Sequence, residues 1–457
     1  MAIPTEESGS SDTGNCKSSN SANSVNHTLL VFRSADESLA RRYPWDSRTQ
    51  GVILSSFFWS YTIAQCFYGS LSERFGGKHL LGVAIFVPAL LTFITPYAVD
   101  WGGSTALIVT RVLMGIANAG MYPVSSTMVS HWTTPAERTK IGNAVYAGPL
   151  LGLFIGTIAP AQIIKYSGMG WPSVFYFFGA IGMIWFPFWL LFVYEDPQLH
   201  PYISDKEAKY LESSLEAEKV QSRLPSAPWK HILLCKEFWA FTFMLVGTNW
   251  GYFAMVSDLP IYMGNVVDFS LENNGFFSAL PYLFMWLNTM VSTWINDKLL
   301  EHQCMSVTNV RKLLASVSVM GPGLFLVLAS YAECDKTFVV VAFMFGITLM
   351  GCLYPSVMMN PLDLSPNYAG SLMAVGNGLA ASVGIITPYI IGVLTPNSTL
   401  VEWRLVFWIV FMFAVLSNVV YLFWFNAEIK PWNDPNFERN QTSNAKSGNN
   451  VQVKVIS

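Results

Sequence analysis

The stretch GSLSERFGGK, residues 69–78, places three charged side chains between two long apolar segments. Residues 51–71 carry no charge, and the chain returns to apolar sequence over residues 80–99. Glycines allow two helices to turn tightly and to pack closely. We therefore predict a hairpin of two membrane helices, in which the acid of the loop accepts from a neighbouring helix end. The alternative is a loop that only follows the positive-inside rule.

The composition indicates a membrane protein. Of the 457 residues, 52% are hydrophobic and only 12% are charged, whereas a soluble domain usually carries about 25% charged residues. The net charge of −3 gives no sign of nucleic-acid binding. The scattered cysteines include no C-x-x-C pair, so neither a disulfide framework nor a metal site is predicted. Because no nucleophile elbow or P-loop is present, the sequence does not predict an enzyme.

Eleven apolar runs are long enough to cross a bilayer, which takes roughly 20 residues of helix. They lie at residues 51–71, 80–99, 104–131, 141–164, 172–194, 238–257, 275–295, 313–332, 337–359, 370–394 and 404–425. Strands of a membrane β-barrel alternate in polarity over about ten residues, which these runs do not. The predicted fold class is therefore an all-α membrane protein.

A charged segment divides the runs into five and six. Within it, Ser204 and Glu207 have the spacing of a helix capping box. The predicted organisation is a polar N-terminal segment (1–48), a five-span bundle (49–194), a cytoplasmic central loop with a charged helix (195–237), a six-span bundle (238–425) and a disordered cytoplasmic tail (426–457).

The short loops predict the orientation, because lysine and arginine accumulate on the cytoplasmic side of membrane helices. One set of alternate loops holds Arg74, Lys78, Arg138, Lys140, Lys298, Arg311 and Lys312, and the opposite set holds only Lys165, Lys336 and Arg404. The first set is predicted to be cytoplasmic, which places the N-terminus outside. There the sequon at Asn26 is a predicted glycosylation site.

The loop at residues 69–78 fits G-x-x-x-[DE]-R-x-G-x-[RK] and resembles the loop signature of the major facilitator superfamily. A weaker counterpart, TWINDKLL at residues 293–300, keeps Asp297 but has Thr293 where glycine is expected. Partial repetition in two halves is typical of transporters. Further blocks resemble the anion-transporter branch of that superfamily, which includes sialin, vesicular glutamate transporters and inorganic phosphate cotransporters. They are residues 43–65, 133–148, 171–191, 274–283 and 362–377.

The resemblance implies two helical bundles around a central cavity and a transporter that works by alternating access. It implies a gating role for the loop residues Gly69, Glu73, Arg74, Gly76, Gly77 and Lys78, and for their counterpart Asp297. Members of the branch begin with an additional helix that bears an arginine. A helix missing before Tyr43 would explain the five-plus-six division and the loop parity, so we expect that this chain lacks it.

Arg111 is the one fully charged side chain that the sequence places inside an apolar run. Burying an unpaired cation in a bilayer is costly, so such residues face a cavity or a partner. In the branch that the chain resembles, a matching arginine is functionally important. We expect Arg111 to attract an anion, and the alternative is a structural arginine bonded to carbonyl groups of a neighbouring helix.

The other predicted substrate-binding residues are Tyr61, Tyr122, Asn118 and Asn249. The two tyrosines match positions of the branch near the substrate path, and their hydroxyls can donate to a carboxylate or phosphate. Amides in the spans can line the cavity or bind sodium, but more often they bond helices together. These amides are Asn118, Asn249, Asn288, Asn360 and Asn377.

The titratable groups of related carriers are absent from this chain. Two glutamates of sialin-like members align with Met114 and Asn118, and an arginine of glutamate carriers aligns with Thr248. Proton coupling needs a titratable group in the pathway. We therefore predict sodium-coupled transport of phosphate or a small organic anion, at the plasma membrane more than at a lysosomal or vesicular one. The alternatives are a proton-coupled carrier of the sialin type and a transport-incompetent relative that acts as a regulator or partner.

Overall fold

The fold of the described residues is helical, with no strand among them. The computed structural model describes residues 43, 45, 47–217, 224, 226–265, 271–332, 335–395 and 399–437. The predicted glycosylation site at Asn26, and almost all of the polar segment before residue 49, lie outside the described residues. The all-α fold class predicted from the sequence is confirmed for the described part of the chain.

The described part of the first half contains five helices, and two short helices follow in the described part of the central loop. The first five are α1 (Ser47–Phe75), α2 (Lys78–Asn118), α3 (Met121–Trp132), α4 (Arg138–Ser167) and α5 (Pro172–Phe192). The central loop holds α6 (Asp205–Ala217) and α7 (Trp229–Leu234). The hydroxyl of Ser204 accepts from the backbone N–H of Glu207 at 3.3 Å, so Ser204 caps α6.

Eight helices are described in the second half. They are α8 (Lys236–Asn265), α9 (Leu271–Glu301), α10 (Val307–Ser330), α11 (Lys336–Leu349), α12 (Asn360–Leu364), α13 (Ala369–Ala381), α14 (Val383–Leu394) and α15 (Leu400–Trp424). Four 3₁₀ turns complete the description, at Pro197–Leu199, Met350–Leu353, Val357–Met359 and Pro431–Asn433.

Gly103 divides α2 into two membrane-length pieces. Its φ of 58° and ψ of −139° are non-helical, and only glycine adopts such angles readily. The apolar segment from Lys78 to Trp132 has 55 residues, which as one straight helix would be about 80 Å long. The hydrocarbon layer is only about 30 Å thick. The break at Gly103 thus lets the chain return into the membrane, as the separate runs 80–99 and 104–131 predict.

Seven segments of the described chain are long and apolar enough to cross a membrane. They are Lys78–Trp132, Arg138–Pro160, Pro172–Phe192, Val307–Ser330, Thr337–Leu364, Ala369–Thr387 and Leu400–Trp424. The first contains the break at Gly103 and thus two predicted runs. The predicted division into five and six spans is consistent with these helices.

The start of the predicted disordered tail is wrong. Residues 426–437 are described and pack against the second half of the chain. Asn433 Oδ1 accepts from the hydroxyl of Ser365 at 2.8 Å, and the buried ring of Trp432 lies 6.4 Å from that of Tyr368. Lys430 Nζ lies 3.0 Å from Glu237 Oε1 at the start of α8. Apolar burial and these polar contacts order the segment, and residues 438–457 lie outside the description.

Candidate functional site

A cavity of about 590 Å³ lies between the two halves of the chain. Its walls come from α1, α2, α3 and α4 of the first half and from α8, α9, α13 and the 3₁₀ turn at Met350–Leu353 of the second. The volume lies in the range of pockets that hold small ligands. The structure brings four of the five predicted substrate-binding residues together in this lining, namely Tyr61, Tyr122, Asn118 and Asn249.

The described lining is polar at several points but carries no charge. Hydroxyl and amide groups face aromatic, leucine and methionine side chains. The lining also holds Asn377, one of the amides expected there, and the hydroxyl groups of Thr248, Tyr252 and Tyr354, which were not predicted as substrate-binding residues. Tyrosine hydroxyls and amide N–H groups donate hydrogen bonds to anionic oxygens. An anion in the cavity would therefore find hydrogen-bond donors at the cavity walls. The negative charge of the anion would have to be balanced by a group outside the lining.

Arg111 lies near the cavity but not in its lining. It precedes Asn118 on α2 by seven residues, which places it on the same helix face about two turns towards the predicted outer side. Between them, Gly115 packs closely against Phe57 and Ser60 of α1. The guanidinium is half-buried and forms no hydrogen bond or ion pair with any described residue. The alternative of an arginine bonded to neighbouring carbonyls therefore has no support among the described contacts.

Two of the other asparagines bond helices together instead of lining the cavity. Asn288 Nδ2 donates to the carbonyl of Thr348 at 2.8 Å, which joins α9 to α11. Asn360 Nδ2 donates to the hydroxyl of Tyr421 at 2.9 Å, which joins α12 to α15. Asn377, by contrast, belongs to the cavity lining.

Glu73 of the GSLSERFGGK loop joins the two halves. Its carboxylate is buried and accepts from the backbone N–H of Ser371 at 2.5 Å and from the Ser371 hydroxyl at 2.7 Å. Ser371 lies in the first turn of α13, whose N–H groups have no partner within the helix. The positive end of the helix dipole favours an acid there. The opposed glycines, Gly69 and Gly370, allow the close approach, because a Cβ on Gly69 would come within 2.5 Å of the Gly370 carbonyl oxygen.

Gly77 and Lys78 of the loop hold a second carboxylate, that of Glu195, which no local sequence pattern singles out. Glu195 accepts from the backbone N–H of Gly77 at 2.6 Å and from that of Lys78 at 2.8 Å. Gly76 has a φ of +91°, and a Cβ there would lie 2.5 Å from the Glu195 carboxyl carbon. Lys78 Nζ lies 4.6 Å from the ring centre of Tyr194. The loop is thus tied to the end of the first half.

Arg74 of the loop and Asp297, the counterpart of Glu73 in the second half, have weaker contacts. Arg74 is exposed and has no described partner. Asp297 accepts from its neighbour Asn296 at 3.0 Å and lines a second cavity of about 690 Å³ with Arg138 and Lys140. It does not hold a helix end as Glu73 does.

Arg311 is a buried cation, and the sequence-based assignment of it to a surface loop is wrong. Its helix begins at Val307, earlier than the predicted run, and its side chain is only 4% exposed. Arg311 Nε donates to Asp363 Oδ2 at 2.8 Å, and Nη2 donates to the hydroxyl of Thr139 on α4 at 3.0 Å. Nη1 donates to Asn296 and to the carbonyl of Pro355.

Three described polar contacts between the halves lie at one end of the molecule. Glu73 with Ser371 and Arg311 with Thr139 are two of them, and Asn143 Nδ2 donating to Thr293 Oγ1 is a third. All belong to helix ends next to the loops rich in lysine and arginine. The predicted cytoplasmic end is therefore closed, with the cavity beyond it.

Residues 22–388 match the Major Facilitator Superfamily. A "Putative inorganic phosphate cotransporter" of Drosophila ananassae is 35% identical over 404 residues, which cover 88% of this chain and 83% of that relative. Sialin of Ovis aries is 36% identical over 86% of this chain and 78% of its own length. Vesicular glutamate transporter 1 of Bos taurus is 30% identical over 86% of this chain and 70% of its own length.

A solved structure shares the fold. The proton:xylose symporter XylE matches 91% of this chain and 93% of its own, with a TM-score of 0.65 and 14% sequence identity. At this identity the likeness concerns the arrangement of the helices and not the ligand.

Proposed function

Because the chain belongs to the anion-transporter branch of the major facilitator superfamily, we propose that it carries a small anion across the membrane by alternating access. The central cavity would be the binding site. The observation that carries the proposal is the position of this cavity, which is walled by both halves and lies beyond a closed end. Rocking of the halves about such a site would expose it to each side in turn.

The proposed substrate is inorganic phosphate or a small organic anion. The names of the relatives support this class, since they include a phosphate cotransporter, sialin and a vesicular glutamate transporter. The hydroxyls of Tyr61 and Tyr122 and the amides of Asn118 and Asn249 would orient its oxygens. Arg111, two helical turns towards the predicted outer side, would attract the anion on its way to the cavity.

Sodium is the proposed coupling ion. The described lining of the cavity contains no aspartate, glutamate or histidine that could carry a proton with the substrate. A monovalent cation that binds together with the anion would also supply the missing positive charge. The plasma membrane is the proposed location, where a sodium gradient is available to drive uptake.

The test is uptake of labelled phosphate and organic anions by cells that express the chain, in sodium and in choline medium. We expect sodium-dependent uptake of at least one anion, reduced about tenfold or more in Arg111→Ala. Lys209→Ala, an exposed position on α6, is the control. Equal uptake by wild type and Arg111→Ala would contradict the role of Arg111. No uptake by surface-expressed wild type would favour a regulator or partner without transport activity.

A further inference from the structure

An apolar cavity of about 360 Å³ lies within the first half, at its predicted cytoplasmic end. Its described lining comes from the first turn of α2, the length of α3, the first turns of α4, the last turn of α5 and the segment that follows α5. The central cavity shares none of these residues. The volume lies in the range of pockets that hold small ligands. The cavity is thus separate from the proposed substrate site.

One side of this cavity faces the surrounding lipid. Ile141 and Val145, four residues apart on α4, are 40% and 46% exposed, and Phe192 at the end of α5 is 66% exposed. Exposed apolar side chains on membrane helices meet lipid tails, which are as apolar as they are. Val145 lies seven residues after Arg138, the first residue of α4, which is about 10 Å along the helix. That depth lies within the cytoplasmic half of a hydrocarbon layer about 30 Å thick.

The cavity wall becomes aromatic and polar towards the loops. The ring of His200 lies between those of Trp132 and Tyr194, with ring centres 5.9 and 4.9 Å away. Lys78 Nζ lies 4.6 Å from the centre of the Tyr194 ring. Aromatic rings with a polar edge, and lysine, are the side chains that meet lipid headgroups at a membrane surface. The cavity therefore has one apolar end and one aromatic, cationic end.

The two acids beside the cationic end already have partners. Glu195 accepts from the backbone N–H groups of Gly77 and Lys78, and Asp196 Oδ1 lies 3.1 Å from His131 Nδ1. The ammonium group of Lys78 forms no ion pair with any described residue. Lysine is a common partner of phosphate groups. The positive charge at this end can therefore be matched by a phosphate.

We infer that this cavity binds one acyl chain of a phospholipid of the cytoplasmic leaflet, with the phosphate of that lipid beside Lys78. The apolar walls match the chain, and each methylene group that they bury strengthens binding. The aromatic, cationic end matches the headgroup. The site is independent of the proposed function, because it needs no anion in the central cavity.

The walls of the cavity also hold the loop that follows α1. Trp189 Nε1 donates to the carbonyl of Lys78 at 2.9 Å. Trp132 Nε1 donates to the carbonyls of Tyr194 and Glu195 at 3.2 and 3.1 Å. A chain bound between these two indoles stabilises the arrangement of the loop, because a ligand of the folded state stabilises that state. The protein with lipid bound should therefore unfold at a higher temperature than the protein without it.

The experiment is native mass spectrometry of the purified full chain in detergent, with phosphatidylglycerol or a diacylglycerol of the same chains added. We expect one phosphatidylglycerol to stay bound after the detergent is removed. Val145→Trp and Ile141→Trp fill the open side of the cavity, and each should weaken its retention about tenfold or more. Ile181→Trp is the matched control, because Ile181 is a 50% exposed apolar position on α5 outside the cavity. It should retain the lipid.

A second comparison tests the phosphate contact. Phosphatidylglycerol should be retained about fivefold or more better than diacylglycerol, and Lys78→Met should abolish this difference. Equal retention of the two lipids by the wild type would indicate a site for any apolar chain and would overturn the contact with Lys78.

A photoreactive group in the acyl chain of phosphatidylglycerol locates the bound lipid. We expect peptides of α3 and of the first turns of α4 to be labelled in the wild type and not in Val145→Trp. Thermal unfolding of each variant without added lipid shows that the tryptophan substitutions leave the chain folded. Equal retention by the wild type and both tryptophan variants would overturn the site, as would labelling no stronger here than around Ile181.

Discussion

The carboxylate of Glu73 accepts two hydrogen bonds from Ser371 in the first turn of α13. The backbone N–H of Ser371 donates at 2.5 Å and its hydroxyl donates at 2.7 Å. The two residues are 298 positions apart in the chain. Glu73 belongs to the loop that identifies the fold, and Ser371 belongs to the helix that carries Asn377 into the cavity. A single buried acid thus links the loop signature, the closed end and the proposed substrate site.

We predict that Glu73→Gln opens the closed end. The amide keeps the size of the side chain but loses the charge that the positive helix end favours, a loss of about 1–2 kcal/mol. The ratio of open to closed molecules should rise roughly tenfold. The measurement is the distance distribution between spin labels at the exposed positions Phe75 and Glu301, on the ends of α1 and α9. Glu212→Gln on α6 serves as the control, and an unchanged distribution in Glu73→Gln would contradict the gating role.

We predict that Arg311→Met destabilises the protein strongly. It leaves Asp363 without its cation in a buried setting, which typically costs about 3–5 kcal/mol. The midpoint of thermal unfolding in detergent should fall accordingly. The double variant Arg311→Met/Asp363→Leu should recover part of the loss, because no charge is then left unpaired. Additive losses in the double variant would show that the two side chains do not act as a pair.

We predict that Gly76→Ala costs more stability than Gly168→Ala. Both glycines have positive φ, 91° and 65°, so both substitutions add backbone strain of about 1 kcal/mol. A Cβ at Gly168 meets nothing within 4 Å, whereas one at Gly76 collides with the Glu195 carboxylate that binds Gly77 and Lys78. Thermal unfolding of the two variants makes the comparison. An equal loss in both would show that Glu195 does not hold the loop.

We predict that the docking of residues 426–437 is insensitive to pH between 6 and 8. Burial alone would raise the pKa of Glu237, but hydrogen bonds from Cys235 and Lys430 outweigh it and hold the pKa below its ordinary value. A lowered carboxyl pKa gives stability that is present above the unfolded pKa of about 4.3 and is lost only as pH falls through the folded value. Limited proteolysis of the C-terminal segment measures docking. Release at pH 6 in the wild type, or no effect of Lys430→Met at pH 7, would contradict this contact.

The sequence predicted the helices better than their contacts. The loop at residues 69–78 and the apolar runs indicated the superfamily and the all-α fold, which the comparisons confirm, together with a membrane transporter that is not an enzyme. Tyr61 and Tyr122, taken from the resemblance, lie in one cavity with Asn118 and Asn249, which were chosen as amides within apolar runs. These features depend on local pattern, which a single sequence carries.

Features that depend on distant pairing were missed. The sequence around Arg311 predicts a loop cation, because its partners are distant in the chain. Asp363 lies 52 residues later and Thr139 lies 172 residues earlier. The close approach of Gly69 to Gly370, which lets Glu73 reach Ser371, depends on how two distant helices pack, which no local pattern encodes. The composition of residues 426–437 predicts a tail, because the partners that order the segment, residues 365–368, lie far away in the chain.

The central claim is that the cavity carries an anion with sodium. It is tested most directly with the purified full chain in proteoliposomes, by uptake of labelled phosphate and small organic anions under an inward sodium gradient. We predict uptake that requires the sodium gradient, that persists without a proton gradient, and that falls at least about tenfold in the double variant Tyr122→Phe/Asn249→Leu. Uptake driven by a proton gradient alone, or unchanged in that variant, would contradict the account.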